Sequence, residues 1–556
     1  MKQIFIPILM VIIALGCTEK QKNQNDSEDI TMLKEKIDRF VPTELKYDSS
    51  NLDDREKVVV EKLYRAAIIM DEIFLEQVYS KNDEIKASLM KENTEVANLQ
   101  LELFNMMFGP FDRLEHDAPF IDTLKKPIGA NFYPEDMTKE EFENWIKNNP
   151  NDEKAFTSEF TVIRRQNGKL VSIPFSEYWK DKLTEAAKLL KEAADYADNP
   201  SLKKYLNSRA DAFLSNDYYQ SDMDWMDLKD QKIEIVIGPY EVYEDGMFNY
   251  KASYECFLTI EDAAESKKLD VFKKYLRDME IHLPIPDEHK NFDRGSESPL
   301  AVVNEVFTAG DTKSGIQTIA FNLPNDERVR KAKGSKKVLL KNVQEAKYHQ
   351  ILVPIADVVL DPEQMKYVTF DAFFNHTLMH EMTHGIGPGF IKVNGKESEV
   401  KKELKETYST MEECKADILG MYNNIFMIEK GVFPKTFDKD TYVTFLAGTF
   451  RSVRFGINEA HGGGNAIIYN YLLEKGGYEY NAETQKVKVN FDKIGPALEE
   501  LANIVLMIQA TGNYQGAKDL IAKYVVNSTS METLRKKLDH LPVDIKPVYE
   551  IEKMYN

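Results

Sequence analysis

The sequence contains few cysteines and no excess of positive charge. Beyond its first residues, it also has no apolar run long enough to cross a bilayer. Only Cys256 and Cys414 lie beyond residue 17, and nothing in their spacing indicates a disulfide. A chain of this size can build its core without disulfides. The net charge of −20 offers no counterion-release affinity for nucleic acid, so we exclude that partner and attribute the charge to solubility.

The length of 556 residues exceeds what one ordinary hydrophobic core accommodates, and it predicts two or more lobes. Apolar residues make up 43% of the chain and charged residues 29%, which is typical of a folded soluble protein. We find no internal repeat and no long low-complexity segment, apart from a polar stretch near the N terminus.

Residues 1–17 have the features of an export signal. A short basic start precedes an apolar run that is too short for a membrane-spanning helix. The run ends in a pattern that resembles a bacterial lipoprotein signal, in which Cys17 is lipidated, although Ala14 stands where leucine is usual. Residues 18–30 are polar and predict a tether. We expect an exported protein that is lipid-anchored to the cell envelope, as in the outer membrane of a Gram-negative bacterium. The alternative is an ordinary signal peptide with a chance cysteine.

Hydrophobic periodicity predicts a mostly helical protein with one compact β unit near its middle. Apolar residues recur at three- and four-residue steps over 54–108 and 177–213, and the helical pattern returns from residue 371 almost to the end. Alternating apolar residues predict strands between these regions, at 232–237, 252–260, 316–322 and 338–340. The predicted fold class is α+β, predominantly α-helical, with a site in a cleft between lobes.

The segment from His380 to His384 has the pattern HExxH. Two histidines four residues apart share one face of a helix, so both imidazoles can bind one metal ion. Glu381 lies near such an ion without binding it and can take a proton from a metal-bound water. Glycines and a proline over 385–389 predict that the helix ends at a cleft. The alternative is a pair of structural histidines, since so short a pattern recurs by chance.

A second acidic segment, 412–417 (EECKAD), lies in a predicted helix over about 402–430. Glu413 and Asp417 are four residues apart and share a face. One carboxylate can complete a three-ligand zinc site with an open fourth position, and the other can accept a hydrogen bond from a ligand histidine. The alternative is an ordinary charged helix face that pairs with nearby lysines. The neighbouring HExxH favours the metal site.

The pairing of HExxH with EECKAD resembles the dipeptidyl-peptidase III family of zinc exopeptidases. Three further segments match the family in the same order: 240–245 (YEVYED), 321–325 (FNLPN) and 459–462 (EAHG). The matches span about 232–465, and the N-terminal region before residue 200 contains no motif that we can align.

The resemblance implies a role for each matched residue. His380, His384 and Glu413 would bind one zinc ion per chain. Glu381 would act as the general base, and Asp417 and Glu412 would contact the zinc ligands. The other matched residues would contact the substrate: Tyr243 and His461 at the oxyanion of the tetrahedral intermediate, and Glu241, Asn322 and Asn325 at the free N terminus and backbone of the peptide.

Elementary chemistry is consistent with these roles. A tyrosine and a histidine can donate to a developing oxyanion, and a carboxylate can neutralise a substrate ammonium. Taken singly, Tyr243 would be a packing residue, Asn322 and Asn325 part of a turn, and His461 a structural histidine. The glycine run 462–464 is less easily explained, because each glycine costs about 1 kcal/mol in a helix. It predicts that the backbone there closely approaches the substrate or the metal-binding helix.

The resemblance also implies a fold of two lobes that close on the substrate. One lobe would be helical and bind zinc, and the other would have a small β-barrel core. We assign residues 31–260 to the N-terminal lobe, completed by about 306–350 and about 526–556. Residues 261–305 and 351–525 would form the zinc lobe. We expect a monomer that acts on oligopeptides and contacts the membrane only through its lipid.

Two features depart from the better-known members of the family. Those members have HExxGH, with one extra residue, and a longer gap between the second histidine and the third ligand. Four-residue spacing preserves the metal geometry on a helix, so the sequence predicts a zinc exopeptidase that releases dipeptides. The alternatives are a zinc aminopeptidase or endopeptidase, hydrolysis of a non-peptide amide, and a peptide-binding lipoprotein without catalysis. Glu381 argues against the last of these, because a binding protein needs no base beside its metal.

Overall fold

The structure, a computed structural model, describes residues 27–292 and 299–555. The predicted signal peptide 1–17 with its Cys17, and the predicted tether up to residue 26, lie outside the described residues. Residues 27–30, which the sequence assigns to the tether, belong instead to the first helix. Among the described residues, no helix combines the length and apolar character needed to span a membrane.

Helices dominate the described chain. Those before residue 300 are α1 (27–37), α2 (Asp54–Val78), α3 (Asn82–Lys91), α4 (Glu95–Met107), α5 (Lys139–Asn148), α6 (Glu153–Phe156), α7 (Phe175–Tyr178), α8 (Lys180–Tyr196), α9 (Pro200–Ser215), α10 (Tyr219–Met226) and α11 (Ala263–His282). Those after it are α12 (Glu327–Lys333), α13 (Lys341–Lys347), α14 (Val353–Val359), α15 (Phe370–Thr383), α16 (Val400–Leu404), α17 (Tyr408–Glu429), α18 (Phe437–Ser452), α19 (Ala460–Glu474), α20 (Ile494–Ala510), α21 (Tyr514–Tyr524), α22 (Thr529–Lys536) and α23 (Glu550–Tyr555). The predictions of helix over 54–108 and 177–213 are confirmed.

The start of α2 shows how the sequence specifies such a helix. The Asp53 side chain accepts a hydrogen bond from the amide of Glu56, and the Glu56 side chain accepts one from the amide of Asp53. This capping box satisfies amides that have no partner within the helix. The buried face of α2 packs against α8 and against two strands of the central sheet, defined below as β7 and β8.

Within the described residues, the strands form one larger sheet and five two-stranded pairs. They are β1 (Phe40–Leu45), β2 (Phe111–Asp112), β3 (Ala118–Pro119), β4 (Thr161–Gln166), β5 (Lys169–Pro174), β6 (Ile233–Glu241), β7 (Ser253–Glu261), β8 (Leu300–Gly310), β9 (Ala320–Leu323), β10 (Lys336–Leu340), β11 (Phe390–Val393), β12 (Lys396–Glu399), β13 (Tyr478–Asn481), β14 (Lys486–Val489) and β15 (Asp544–Tyr549). β1 pairs in parallel with β15, which joins the N-terminal part of the described chain to its end.

The larger sheet has the order β6-β7-β8-β10-β9 and is open. β8 and β10 run parallel, and the other neighbours run antiparallel. Since β6 and β9 lie at opposite edges, the described strands do not form the closed β-barrel that we expected. Residues 300–305, which we assigned to the helical lobe, begin the central strand β8.

Two element boundaries differ from the prediction for a physical reason. The strand expected over 316–322 is confined to β9, because Gln317 bonds to side chains instead of to a neighbouring strand. Its amide donates to Asp544 Oδ2 at 2.7 Å, and its carbonyl accepts from Lys347. The helix expected over 402–430 is divided into α16 and α17 at Lys405, which has a φ of 52°.

Three helices of the second half, α15, α17 and α19, pack side by side and bring the predicted metal ligands, Glu381 and His461 together. The apolar residues of α15 and α17 are buried in the main hydrophobic core, which extends from the N-terminal helices to the end of the chain. Cys414 on α17 and Cys256 on β7 are both buried and unpaired thiols.

Candidate active site

The HExxH motif spans the C-terminal end of α15. This helix begins at Thr369, whose hydroxyl accepts a hydrogen bond from the amide of Ala372, and it ends at Thr383 just before a glycine-rich turn. One helical turn separates His380 from His384, and their Nε2 atoms lie 3.2 Å apart. His380 is buried and His384 is half-buried. The two imidazoles therefore face a common point at the end of the helix.

Glu413 on α17 faces the same point. Its Oε2 lies 3.3 Å from His380 Nε2 and 3.9 Å from His384 Nε2. This oxygen is buried, yet within the described ranges it accepts no hydrogen bond. Ligand atoms about 2.0–2.2 Å from a tetrahedral zinc ion lie about 3.3–3.6 Å apart, so the three atoms fit a single ion. The donor set, two imidazole nitrogens and one carboxylate oxygen, also suits zinc chemically.

The far side of each imidazole is held by a carboxylate. His380 Nδ1 lies 2.8 Å from Asp417 Oδ1, and His384 Nδ1 lies 2.9 Å from Glu412 Oε1. Such hydrogen bonds fix the tautomer and leave the Nε2 lone pairs directed at the metal position. Glu412 and Glu413 therefore have different positions, since Glu413 faces the common point and Glu412 lies behind His384.

Further side chains hold these carboxylates in place. Asn465 Nδ2 donates to Asp417 Oδ2 at 2.8 Å, and Gln509 Nε2 donates to Glu412 Oε2 at 3.1 Å. Burial acts to raise the pKa of Glu412, but the charge of Lys415 and the hydrogen bond from His384 lower it to about 2. The Glu412 carboxylate thus stays ionised at every physiological pH.

These supporting residues were not predicted from the sequence, and neither was His376. The Nε2 of His376 lies 3.3 Å from Asp417 Oδ1, so Asp417 accepts from two histidines of α15. Their four-residue spacing, His376-His380-His384, was a local signal that could have found it. Asn465, Gln509 and Lys415 give no such signal, because they are defined only by contacts between different helices.

Glu381 faces the central sheet. Lys337 on β10 donates a hydrogen bond to the backbone carbonyl of Glu381, and its Nζ lies 3.5 Å from Glu381 Oε2. Within the sheet, Lys337 is paired in register with Asn322 of β9. The general-base candidate is thus linked to the strand pair that carries Asn322.

His461 lies at the start of α19, over the predicted metal site. Its Nδ1 is 3.1 Å from Glu413 Oε2, and its ring centroid is 5.8 Å from that of His380. The side chain remains 64% exposed and can therefore contact a substrate. The glycine run beside it makes this approach possible. A Cβ at Gly464 would lie only 2.9 Å from the backbone nitrogen of Cys414, so α19 packs directly on the backbone of α17.

The sheet residues form a second group. Asn325 Nδ2 donates to Glu241 Oε1 at 3.3 Å and to the carbonyl of Tyr240 at 3.2 Å. Asn322 is exposed, and Tyr243 is 81% exposed. Within the described ranges, no hydrogen bond, ion pair or ring contact joins Tyr243 or Glu241 to His380, His384 or His461. The structure thus places Glu241 with Asn325, but it does not bring Tyr243 to the metal position.

A cavity of about 460 Å³ lies beside the catalytic helices. The helices line it through His380, Glu381 and His461, and the segment 316–320, which leads into β9, also lines it. Extended peptides bind in such clefts between a sheet edge and helices.

A family model and several known proteins match the chain. The sequence model of peptidase family M49 matches residues 44–403. Nudix hydrolase 3 of Arabidopsis thaliana is 38% identical over 589 residues, which cover 96% of this chain and 76% of that protein. Dipeptidyl peptidase 3 of Nematostella vectensis is 25% identical over 359 residues, which cover 54% of this chain and 47% of that protein.

Two solved structures resemble the whole described fold. The structure of DPP III from Caldithrix abyssi has 65% identity and a TM-score of 0.93, and the match covers 94% of this chain and 100% of that one. The structure of dipeptidyl-peptidase III from Corallococcus sp. strain EGB has 42% identity and a TM-score of 0.80, with coverage of 95% and 98%. The chain therefore belongs to peptidase family M49, the dipeptidyl-peptidase III family, and is a metallopeptidase.

Proposed function

We propose that this metallopeptidase is a zinc-dependent exopeptidase that releases dipeptides from the free N terminus of oligopeptides. The observation that carries the proposal is the convergence of His380, His384 and Glu413 on one point, beside a cavity that Glu381 also lines. The names of the two similar solved structures, DPP III and dipeptidyl-peptidase III, support dipeptide release.

His380, His384 and Glu413 would hold the zinc ion. The buried Glu413 Oε2, which accepts no hydrogen bond in the described part of the chain although imidazole nitrogens lie 3.1–3.9 Å away, is the best evidence that a cation belongs there, since a buried carboxylate oxygen without a hydrogen bond is costly. When bound, zinc polarises the scissile carbonyl and acidifies water.

Glu381 takes the proton from the attacking water and passes it to the amide nitrogen that leaves as the C–N bond breaks. Lys337 holds the backbone and carboxylate of Glu381 in place during these transfers. His461, exposed over the metal position, donates a hydrogen bond to the oxyanion of the tetrahedral intermediate. Each of these groups belongs to the described chain and needs no further protein partner.

Glu241, Asn322 and Asn325 bind the free N terminus and the first peptide units of the substrate. Burial raises the pKa of Glu241. The pKa of the nearby Glu255 is raised well above its usual value by burial and by the charges of Glu241 and Asp311. A group of mutually repelling carboxyls is a suitable site for an ammonium ion. An N-terminal amine bound there would fix the distance between the N terminus of the substrate and the bond that is cleaved.

Tyr243 contributes to the oxyanion site when the two lobes close on the substrate. The charge of Glu241 and partial burial raise the pKa of Tyr243, so the phenol keeps its proton and remains a donor. The closing lobes are the sheet-bearing lobe, 31–260 with about 300–350 and 526–556, and the helical zinc lobe, 261–292 and 351–525. This division moves residues 300–305 into the sheet-bearing lobe.

We also propose that the protein is exported and anchored to the cell envelope through lipid on Cys17, and that it acts as a monomer. The proposal rests on the signal-like residues 1–17 alone. Replacing Cys17 by serine would release the protein from the membrane fraction and abolish incorporation of labelled palmitate. An unchanged membrane fraction would show that another feature retains it.

The function is tested with the full chain, purified in mild detergent and loaded with zinc. It is incubated with a hexapeptide that has a free N terminus, and mass spectrometry identifies the products. Successive loss of dipeptides is expected from the native protein. The Glu381→Gln variant, matched in size and metal content, should release dipeptides far more slowly. Its rate should fall at least about 100-fold, which is the usual contribution of a general base.

Products other than dipeptides would indicate a different activity. Single residues would indicate an aminopeptidase, and internal fragments would indicate an endopeptidase. An uncleaved peptide, with one zinc ion bound per chain, would leave hydrolysis of a non-peptide amide or simple peptide binding.

A further inference from the structure

The amine-binding residues Glu241, Asn322 and Asn325 do not line the cavity beside the histidines. Its outer wall is the one formed by 316–320, which lead into β9, whereas Asn325 follows the C-terminal end of β9 and bonds to Glu241. His380 and Glu381 line the same cavity. If the N terminus of a substrate reaches Glu241, as in the proposed function, its residues beyond the scissile bond therefore enter this outer part of the cavity.

Arg451, at the end of α18, is the only lysine or arginine among the described residues that line the cavity. Its side chain is half-buried. Within 27–292 and 299–555, its guanidinium group makes no hydrogen bond and no ion pair, although it has five N–H donors. A half-buried cation without a partner is costly, and such a group is available to a ligand.

Asp544 is the carboxylate that acts most strongly on Arg451, but it is already engaged. Its Oδ2 accepts hydrogen bonds from Lys347 Nζ at 2.8 Å and from the amide of Gln317 at 2.7 Å. Two cations thus share one buried carboxylate. Burial lowers the pKa of Arg451, and the charge of Asp544 only partly offsets this effect.

The acidic residues that line the cavity do not neutralise Arg451 either. Glu381 is paired with Lys337, and Asp417 is paired with His380 and His376. Glu459 is exposed at the rim and forms no ion pair with Arg451. The outer end of the cavity consequently has a local excess of positive charge.

We propose that Arg451 binds a carboxylate of the substrate on the C-terminal side of the scissile bond. A guanidinium group binds a carboxylate through two parallel hydrogen bonds, which makes it selective for this group over an amide. The carboxylate is either the C terminus of a short peptide or an acidic side chain. In both cases the protein prefers substrates that are acidic beyond the cleaved bond.

The experiment measures binding, so that it does not depend on turnover. Full-length protein with Glu381→Ala, loaded with zinc, is titrated by calorimetry with alanine pentapeptides that have a free N terminus. One peptide ends in a carboxylate and its partner in an amide. A second pair, both amidated, has glutamate or glutamine as its fourth residue. We expect the carboxylate member of at least one pair to bind about tenfold more tightly, as for a charged hydrogen bond.

The identity of the preferred pair distinguishes a C-terminal carboxylate from an acidic side chain. Adding Arg451→Gln should reduce the ratio of the two affinities to near one, and Arg451→Lys should keep part of it. Equal binding of both members of both pairs by the protein with native Arg451 would overturn the inference, whether or not the variants fold. A preference that survives Arg451→Gln in a folded, zinc-loaded protein would overturn it as well.

The hydrolysis test of the proposed function has a separate outcome. A protein that binds carboxylate peptides through Arg451 but cleaves none would retain this inference and lose the proposed function. A protein that releases dipeptides with no preference in binding would do the reverse.

Discussion

Lys337 and Glu381 connect the central sheet to the catalytic helix. The Lys337 ammonium donates to the backbone carbonyl of Glu381 and lies 3.5 Å from its carboxylate. One side chain on β10 therefore fixes both the end of α15 and the direction of the general base. It is also the neighbour, across the sheet, of the predicted substrate-binding residue Asn322.

We predict that Lys337→Met lowers kcat for a tetrapeptide about 10- to 30-fold, because a charge-assisted hydrogen bond to the catalytic segment is lost. The KM should change little, since Lys337 contacts Glu381 and not the amine-binding group. Lys337→Arg keeps the charge and should recover most of kcat. Steady-state kinetics, with zinc content checked by elemental analysis, measure both parameters. A fall in KM and kcat together, or no rescue by arginine, would indicate a general structural role for Lys337.

The Asp417 carboxylate provides a test of metal binding that does not require activity. It accepts from His380 Nδ1 and from Asn465, so Asp417→Asn preserves the shape but removes the charge that orients the imidazole. Loss of such a partner lowers metal affinity about 10- to 100-fold. Competition with a zinc chelator measures this loss. Asp519→Asn, at an exposed position on α21, is the matched control and should leave the affinity unchanged.

The metal-site residues could be predicted from the sequence because their spacing is local. His380 and His384, like Glu413 and Asp417, are four residues apart on a helix, and this spacing alone places both members on one face. By contrast, Lys337, Gln509 and Asn465 contact the site from separate elements. No local pattern specifies such contacts, so the sequence could not indicate them.

The sheet was predicted less completely for a related reason. β8 is buried along most of its length, so it lacks the alternation of apolar and polar residues that identifies a strand with one exposed face. The strands β6 and β7 were predicted from the alternation of apolar residues over 232–237 and 252–260. The expectation of a closed barrel came from the family resemblance, and only the pairing of strands could show that the sheet is open.

The contact of Gly464 with α17 leads to a prediction about stability. A methyl group at this position would lie 2.9 Å from the nitrogen and 3.1 Å from the Cα of Cys414, and backbone atoms cannot move aside easily. We predict that Gly464→Ala lowers the free energy of unfolding by about 1–3 kcal/mol. It should also weaken zinc binding, because Glu413 precedes the contacted residue.

Gly448→Ala is the control for this prediction. Gly448 lies within α18, and a methyl group there would meet nothing within 4 Å. Since alanine is favoured over glycine in a helix by about 1 kcal/mol, this variant should be as stable as the native protein or more stable. Urea unfolding of the zinc-loaded proteins measures both changes. Equal stability of the two variants would show that a methyl group at position 464 separates α17 and α19 without lowering the free energy of unfolding.

The cluster of carboxyl groups around Glu241 predicts how substrate binding depends on pH. Burial raises the pKa of Asp311 to about 7, and the charges of Glu244 and Glu241 act in the same direction. The charge of Arg113 opposes this rise. Burial also raises the pKa of Glu241. A carboxyl with a raised pKa is neutral at low pH and becomes anionic only as the pH rises through that pKa. The attraction for a substrate ammonium therefore increases from acidic pH up to neutral pH.

We predict that the affinity of the Glu381→Ala protein for a peptide with a free N terminus rises about tenfold between about pH 5.5 and pH 7.5, as one ammonium–carboxylate interaction forms. Above that range the affinity should fall, because a peptide α-amino group loses its proton near pH 8. An Nα-acetylated peptide has no ammonium and serves as the control for any effect of pH on zinc binding. Asp311→Asn should reduce the rise. An affinity that follows the same pH dependence for the free and the acetylated peptide would mean that these carboxyl groups do not bind the N terminus.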